Sequence, residues 1–297
     1  MRALAGWMLL ATCALTTGAH AEPTRPRAPV GELPKLQWDD AWVRFQPAHA
    51  AVTLAFGALG GAATLIHPLR STRREGGILF DDDVRGALRA DTIGGRFLAR
   101  DSSDALLSLL ITYPYFVDAL ATAWWYRSSA DVARQMTLIN VEAMAITAGV
   151  QGLTNVVASR ERPYGADCGG EVASDTADCS SARRYRSFFS GHSAQAFTAA
   201  SLICSHHMKL RLFGPGAADA ITCITALATA GTVATLRVVG DMHYASDVTL
   251  GAGVGLLVGF GVPFLHYHRT LPTLELGGGA HMSLVPTGNG VSLSGSF

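Results

Sequence analysis

Six long stretches rich in alanine, leucine and glycine constrain the fold of this 297-residue chain more than any other feature. Proline, glycine or charged clusters separate them, as expected at helix ends. An arginine- and aspartate-rich stretch between the first two, 68–102, predicts a short amphipathic helix near 82–99. We therefore expect an all-α protein, a helical bundle of about six core helices. These helices are predicted at about 48–67, 103–126, 131–159, 191–207, 217–238 and 244–267.

The two ends of the chain differ in character from this bundle. Residues 1–21 have the positive start, apolar run and small-residue cleavage site of a secretory signal peptide, with an uncleaved anchor helix as the alternative. Residues 22–36 contain four prolines and predict a flexible leader. Residues 37–268 are then predicted to form the helical domain. Strand-like patterns around a Pro-Thr-Gly-Asn-Gly segment predict a short C-terminal β-hairpin within 269–297.

The four cysteines after the signal segment fall into two pairs of different surroundings. Cys168 and Cys179 lie in a polar segment, where exported proteins commonly form disulfides. Cys204 and Cys223 lie in apolar helical stretches and are expected to be small core residues. No cysteine or histidine spacing resembles a zinc site, so the sequence predicts no metal site.

Two histidines lie in segments that can bind and transfer an anionic group. Ser190 is a natural N-cap for the helix that follows, and Gly191 allows close approach of the backbone. The exposed N–H groups of that first turn attract anions, and His192 on the same turn could protonate a leaving oxygen. Taken alone, the segment is better explained as a capped helix that carries a surface histidine.

The second histidine, His243, precedes Asp247 by four positions. If both lie on one helix face, the carboxylate can accept a hydrogen bond from Nδ1 and leave Nε2 as a nucleophile. An ordinary charged pair on a solvated helix face is the alternative. Arg237 ends the preceding helix, and one tight turn could bring it over the same anion.

Arginines flank both histidine segments. Arg162, followed by a proline, closes the 131–159 helix, and Arg160 lies two positions before it. One of the two could clamp a phosphate while the other pairs with an acidic neighbour. Arg186 belongs to a charge cluster just before Ser190, which is most often solvated in proteins. Together these residues favour phosphoryl transfer through a histidine nucleophile.

In their order, the three segments resemble the signatures of the type-2 phosphatidic acid phosphatase and vanadium haloperoxidase superfamily. The resemblance covers roughly 139–268, and the sequence around His243 is most similar to the lipid-phosphatase branch. It implies a helical bundle with its site at one end and no metal or cofactor. It also implies that His243 forms a phosphohistidine, that Asp247 orients His243 and that His192 protonates the leaving group. By the same resemblance, the phosphate is held by Arg162, Arg237, Ser190 and Gly191.

One departure from the family pattern affects the phosphate site. Asn155 stands where the family has a lysine, which removes a cation that Arg160 or Arg186 would have to replace. Two further departures, Phe189 for a proline and Leu236 for a serine, remove no reactive group. The alternatives to a phosphatase are therefore a non-enzymatic envelope bundle with a decayed site and a vanadate-dependent haloperoxidase.

Charge and hydropathy indicate the partners and the compartment. The net charge of zero gives no reason to expect a nucleic-acid partner. Stretches near 51–66 and 248–265 are apolar enough for a bilayer, whereas 131–159 and 191–207 are poor spans. If all six helices crossed after a cleaved signal, the cysteine loop would face the cytoplasm, where a disulfide is out of place. We therefore favour export to the periplasm or cell envelope, soluble or membrane-associated, with an integral inner-membrane protein as the alternative. The expected substrate is a phosphorylated lipid or a small phosphoester.

Overall fold

Helices make up the fold, as the sequence predicted. The computed structural model of the protein describes residues 33–173 and 176–268, and the backbone of three short segments beyond them. The predicted signal peptide and most of the leader lie outside the described residues and stay predictions. The helices are α1 (Pro47–Leu65), α2 (Asp81–Leu88), α3 (Ile93–Tyr113, continued as a π-helix over Pro114–Tyr126), α4 (Ala130–Ala158), the single turn α5 (Ala177–Ser180), α6 (Gly191–Leu210), α7 (Ala218–Val239) and α8 (Ala245–Tyr267).

The prediction of one amphipathic helix near 82–99 is wrong, because two separate helices cover this stretch. α2 ends at Leu88, and α3 begins at Ile93 after Thr92, whose side chain accepts a hydrogen bond from the Gly95 N–H. This N-cap starts a new helix, while Ala90 between the two donates to the Val239 carbonyl of α7. The long helix that was predicted over 103–126 consequently starts ten residues earlier.

α6 is the central helix of the bundle and packs against α3, α4, α7 and α8. Its contact with α8 is unusually close because glycines recur every fourth position along α8. A Cβ at Gly251, Gly255 or Gly259 would lie 2.4–2.6 Å from a carbonyl oxygen of Ser190 or of α6. Small residues on one helix face let two backbones approach. This packing fixes the first turn of α8 beside the first turn of α6, where the signature residues lie.

Three strand segments follow α8, at Leu274–Glu275, His281–Thr287 and Gly290–Ser296. The residues that connect them lie outside the described part of the chain. The predicted C-terminal β-hairpin therefore stays a prediction.

Two disulfides link segments of the described chain. Cys168 pairs with Cys179 in the polar loop between α4 and α6, where the sequence predicted a pair. Cys204 pairs with Cys223 and joins α6 to α7, so the expectation that these two are free core residues is wrong. The apolar surroundings suggested core thiols, but the side-by-side packing of the two helices brings the cysteines within bonding distance.

Four helices in the described part of the chain are long and apolar enough to cross a membrane. α1 and α8 were expected from the sequence, and α3 with its π-helical extension and α7 join them. α4 and α6 do not qualify, in line with their polar residues. At most a third of the apolar window in any of these four helices is buried inside the bundle. The length and composition of these helices fit association of the protein with a membrane.

Candidate active site

Backbone hydrogen bonds bring the three signature segments together at one end of the bundle. Ser187 N–H donates to the Arg160 carbonyl, and Ser190 N–H donates to the Asp247 carbonyl. Tyr164, just after the Arg-Pro segment, donates to the Asp241 carbonyl. The loop after α4, the start of α6 and the α7–α8 turn therefore lie together, as the sequence predicted.

His243 lies at the centre of this site, and 2% of its surface is exposed. Its Nδ1 is 2.8 Å from the Ser187 carbonyl oxygen. A carbonyl can only accept a hydrogen bond, so Nδ1 carries the proton and Nε2 presents a lone pair. Burial and the positive charges of Arg162 and Arg237 lower the pKa of His243 well below its usual range. His243 is consequently neutral at physiological pH, in the form required of a nucleophile.

The structure corrects the predicted contact between His243 and Asp247. α8 begins at Ala245, so His243 precedes the helix and does not stack above Asp247 on one face. Nδ1 is 3.9 Å from the Asp247 carboxylate, too far for a hydrogen bond. Asp247 instead accepts from the Ser187 hydroxyl at 2.5 Å and from the Tyr244 N–H at 2.9 Å. It therefore acts on His243 indirectly, by holding Ser187, whose carbonyl accepts the Nδ1 proton.

Arg160 holds Asp247 in position by an ion pair, and its donors are used by carboxylates. Its two terminal nitrogens donate to Asp247 and to Asp81, each at 2.7 Å. Asp81, at the start of α2, also accepts from the N–H and hydroxyl of Ser246. Burial raises the pKa of Asp81, but the hydrogen bonds from Arg160 and Ser246 outweigh this effect and lower it. Of the two roles that the sequence left open for Arg160, the structure gives it pairing with an acidic residue.

Arg162 and Arg237 carry the unpaired donors of the site. Nε of each guanidinium is buried and has no hydrogen-bond partner among the described residues. Both charges act on His243, and that of Arg162 also acts on Arg237. Two guanidiniums with buried, unused donors next to a neutral imidazole can bind an anion.

His192 lies in the first turn of α6, next to these arginines. Ser190 caps the helix as predicted, since its hydroxyl accepts from the Ser193 N–H. Burial and the charge of Arg237 lower the pKa of His192 to about 4, although Asp104 acts in the opposite direction. The N–H groups of Gly191 and His192 precede the first intrahelical bond and can face an anion.

Asp104, on α3, is a site residue that sequence reasoning missed. One of its oxygens accepts from Arg237 Nη1 and contacts His192 Nε2, each at 2.8 Å. Its neighbour Ser103 also accepts from Arg237. The polar run over 100–104, which continues into an apolar stretch of the helix, was the available signal. The partner of Asp104 on α7, 133 positions away, could not be inferred from that signal.

The remaining accessory candidates lie at the edge of the site. The Asn155 amide donates to the Gln151 and Phe189 carbonyls, which supports the turn before Ser190. Arg186 donates to carbonyls at the end of α1, among them those of Ala63 and Ile66, and caps that helix. Arg186 is therefore not available to replace the missing lysine, so the predicted compensation by Arg160 or Arg186 is wrong.

Two arginines at the end of α2 hold the α7–α8 turn in place. Asp241 in that turn has a positive φ of 59°, a conformation that few non-glycine residues adopt. Arg85 and Arg89 both donate to its buried carboxylate, at 2.7–3.0 Å. The arginine- and aspartate-rich stretch between α1 and α3 is therefore part of the site's framework.

Comparison with known families agrees with this geometry. A family model described as the PAP2 superfamily matches residues 137–270. The match covers just under half of the chain and is consistent with the type-2 phosphatidic acid phosphatase superfamily. The matched region contains the predicted signature-bearing stretch, 139–268, and supports a phosphatase-type enzyme that acts on a phosphoester. Comparisons with curated proteins and with solved structures gave no match.

Proposed function

We propose that the protein is a metal-independent phosphatase that hydrolyses a phosphomonoester or diphosphate, carried on a lipid, through a phosphohistidine on His243. The observation that carries the proposal is the orientation of His243. Nδ1 is held by the Ser187 carbonyl, which leaves the Nε2 lone pair in the field of Arg162 and Arg237. Donors placed where negative charge spreads in the transition state supply most of the acceleration in phosphoryl transfer.

In the proposed reaction, Nε2 of His243 attacks phosphorus and the bond from phosphorus to the leaving oxygen breaks. His192 gives its proton to that oxygen. Water then attacks the phosphohistidine, passes a proton to His192 and releases inorganic phosphate. Because His192 is neutral in the free enzyme at neutral pH, its proton has to arrive with a monoanionic substrate. When the substrate binds, the phosphoryl group also has to displace Asp104 as the hydrogen-bond partner of Arg237 and His192.

Two observations support a lipid-linked substrate in the cell envelope. Apolar side chains are exposed at the end of the bundle that holds the site, among them Leu79, Phe80, Phe97 and Leu98. The exposed aromatics Trp124 and Trp125 lie at the other end of α3, in its π-helical extension. There they are better placed to contact the membrane–water interface than to line the substrate site. Both disulfides favour an oxidising compartment, which supports export to the periplasm.

The test uses the full chain, purified in detergent and assayed in EDTA. Phosphate release from para-nitrophenyl phosphate, phosphatidate and a polyprenyl diphosphate should be abolished in His243→Ala. The matched control is His67→Ala, which removes an exposed histidine outside the site. An alkaline quench should trap a labelled phosphohistidine in the wild type. Release that persists in His243→Ala, or inactivity on every substrate, would overturn the proposal.

Asn155 keeps a second candidate open, a bundle whose site has decayed. The residue is buried, and its Oδ1 has no hydrogen-bond partner among the described residues. Asn155→Lys separates the two functions. A large gain from near-zero activity would favour decay, whereas an active wild type with little or no gain supports the phosphatase.

A further inference from the structure

A second cluster of chemistry-bearing side chains lies at the end of the bundle opposite the phosphatase site. His49 is in the first turn of α1, Glu142 is on α4 and His266 is in the last turn of α8. One ligand atom of each lies within 4.8 Å of the other two. Glu142 and His266 are buried, and His49 is partly exposed, which leaves a path from solvent. The phosphatase mechanism uses none of the three.

The hydrogen bonds of His266 orient it as a ligand. Its Nδ1 is 3.0 Å from the Val43 carbonyl oxygen, so Nδ1 carries a proton. Nε2 then faces the Glu142 carboxylate at 2.9 Å. A neutral imidazole and a carboxylate would both present lone pairs across this contact, so a cation has to lie between them, either a proton or a metal ion. Metal-binding histidines typically donate their second ring N–H to a backbone carbonyl in this way.

His49 supplies the third donor. Its ring centroid is 4.6 Å from that of His266. Its Nδ1 accepts from the Gln46 N–H at 3.0 Å, so His49 exchanges this bond, or turns its ring, when it binds an ion. Two imidazoles and one carboxylate suit zinc and related transition metals, whereas calcium and magnesium prefer oxygen ligands throughout.

We propose that His49, Glu142 and His266 bind a zinc-type divalent ion that fastens α1 to the rest of the bundle. α1 packs along α4, and only 6% of its apolar window is buried. An ion shared by α1, α4 and α8 would hold the first turn of α1 in place. The histidines and the glutamate are more than 90 positions apart in the sequence, which is why no ligand spacing was recognised there.

The first test measures the metal directly. The full chain, purified in detergent and stripped with EDTA, is dialysed against zinc chloride, and bound zinc is counted by mass spectrometry. We expect one ion per chain and a higher Tm than that of the stripped protein. Cobalt(II) in place of zinc should give the visible absorption of a tetrahedral site. A chain that binds no zinc, with a Tm that zinc leaves unchanged, would show that a proton bridges His266 and Glu142 and would overturn the proposal.

Two variants locate the ion. His49→Gln and Glu142→Gln each remove one ligand and should weaken zinc binding by at least about 100-fold, because loss of an outer-shell partner alone costs 10–100-fold. His49 is the least buried of the three, so its variant tests the proposal even if Glu142→Gln fails to fold. The matched control is His268→Ala, two positions beyond the cluster, which should keep wild-type binding. Equal binding by His49→Gln and wild type would place any zinc elsewhere and refute the site. Because the cluster lies far from His243, phosphate release in EDTA reports on the proposed function separately.

Discussion

Ser187→Ala tests how His243 is oriented. The hydroxyl of Ser187 donates to the buried Asp247 carboxylate at 2.5 Å, and its carbonyl accepts from His243 Nδ1. Removing a hydrogen bond to a buried charge costs about 1.5–3 kcal/mol of folding stability. The Ser187 N–H still donates to the Arg160 carbonyl, so the carbonyl should loosen without being lost. If about half of the lost energy appears in the transition state, kcat falls by about 3- to 13-fold.

The assay combines denaturant unfolding with the pH-independent kcat for para-nitrophenyl phosphate. Thr198→Val is the matched control, since it removes another buried hydroxyl of the bundle, bonded to Thr147 and the Ala194 carbonyl. It should lower stability by about 1 kcal/mol and leave kcat unchanged. Wild-type kcat in Ser187→Ala, together with inactive Asp247→Asn, would mean that Asp247 orients His243 directly and would refute the reasoning.

Three further predictions concern the charges and crosslinks. Asp104→Asn should tighten inhibition by orthovanadate about tenfold, because the carboxylate no longer competes for Arg237; weaker inhibition would contradict this. His192, with a pKa lowered to about 4, is neutral above that pH, so kcat/KM for a monoester should fall above about pH 6 as the monoanion is lost; a profile that rises from pH 6 to 8 would exclude this proton route. Replacing Cys204 and Cys223 by alanine opens a loop with a separation of 19 residues and should cost about 3 kcal/mol, or roughly 6–12 °C in Tm, measured by thermal unfolding. A Tm equal to that of the wild type would show that this disulfide adds no stability.

The sequence identified candidate site residues that the fold brings together, but it did not indicate the contacts that support them. Ser190 caps α6 as its position before the helix indicated. Asp247 was expected to bond His243 because four positions separate them, and α8 begins too late for that contact. Asp81 and Asp104 reach the site across 79 and 133 positions to their partners Arg160 and Arg237. Nothing in a single sequence indicates which of many arginines such an aspartate will meet.

The sequence by itself determined the all-α class, most helix bounds and the three segments that lie together at one end of the bundle. Apolar periodicity, caps and short motifs act over a few residues, so they are legible in the order of the amino acids. Tertiary structure alone decided the route from Asp247 through Ser187 to His243, the Cys204–Cys223 crosslink and the cluster of His49, Glu142 and His266. Each of these depends on which helix faces pack against each other. That pairing of faces, such as the close α6–α8 contact, exists only in the folded chain.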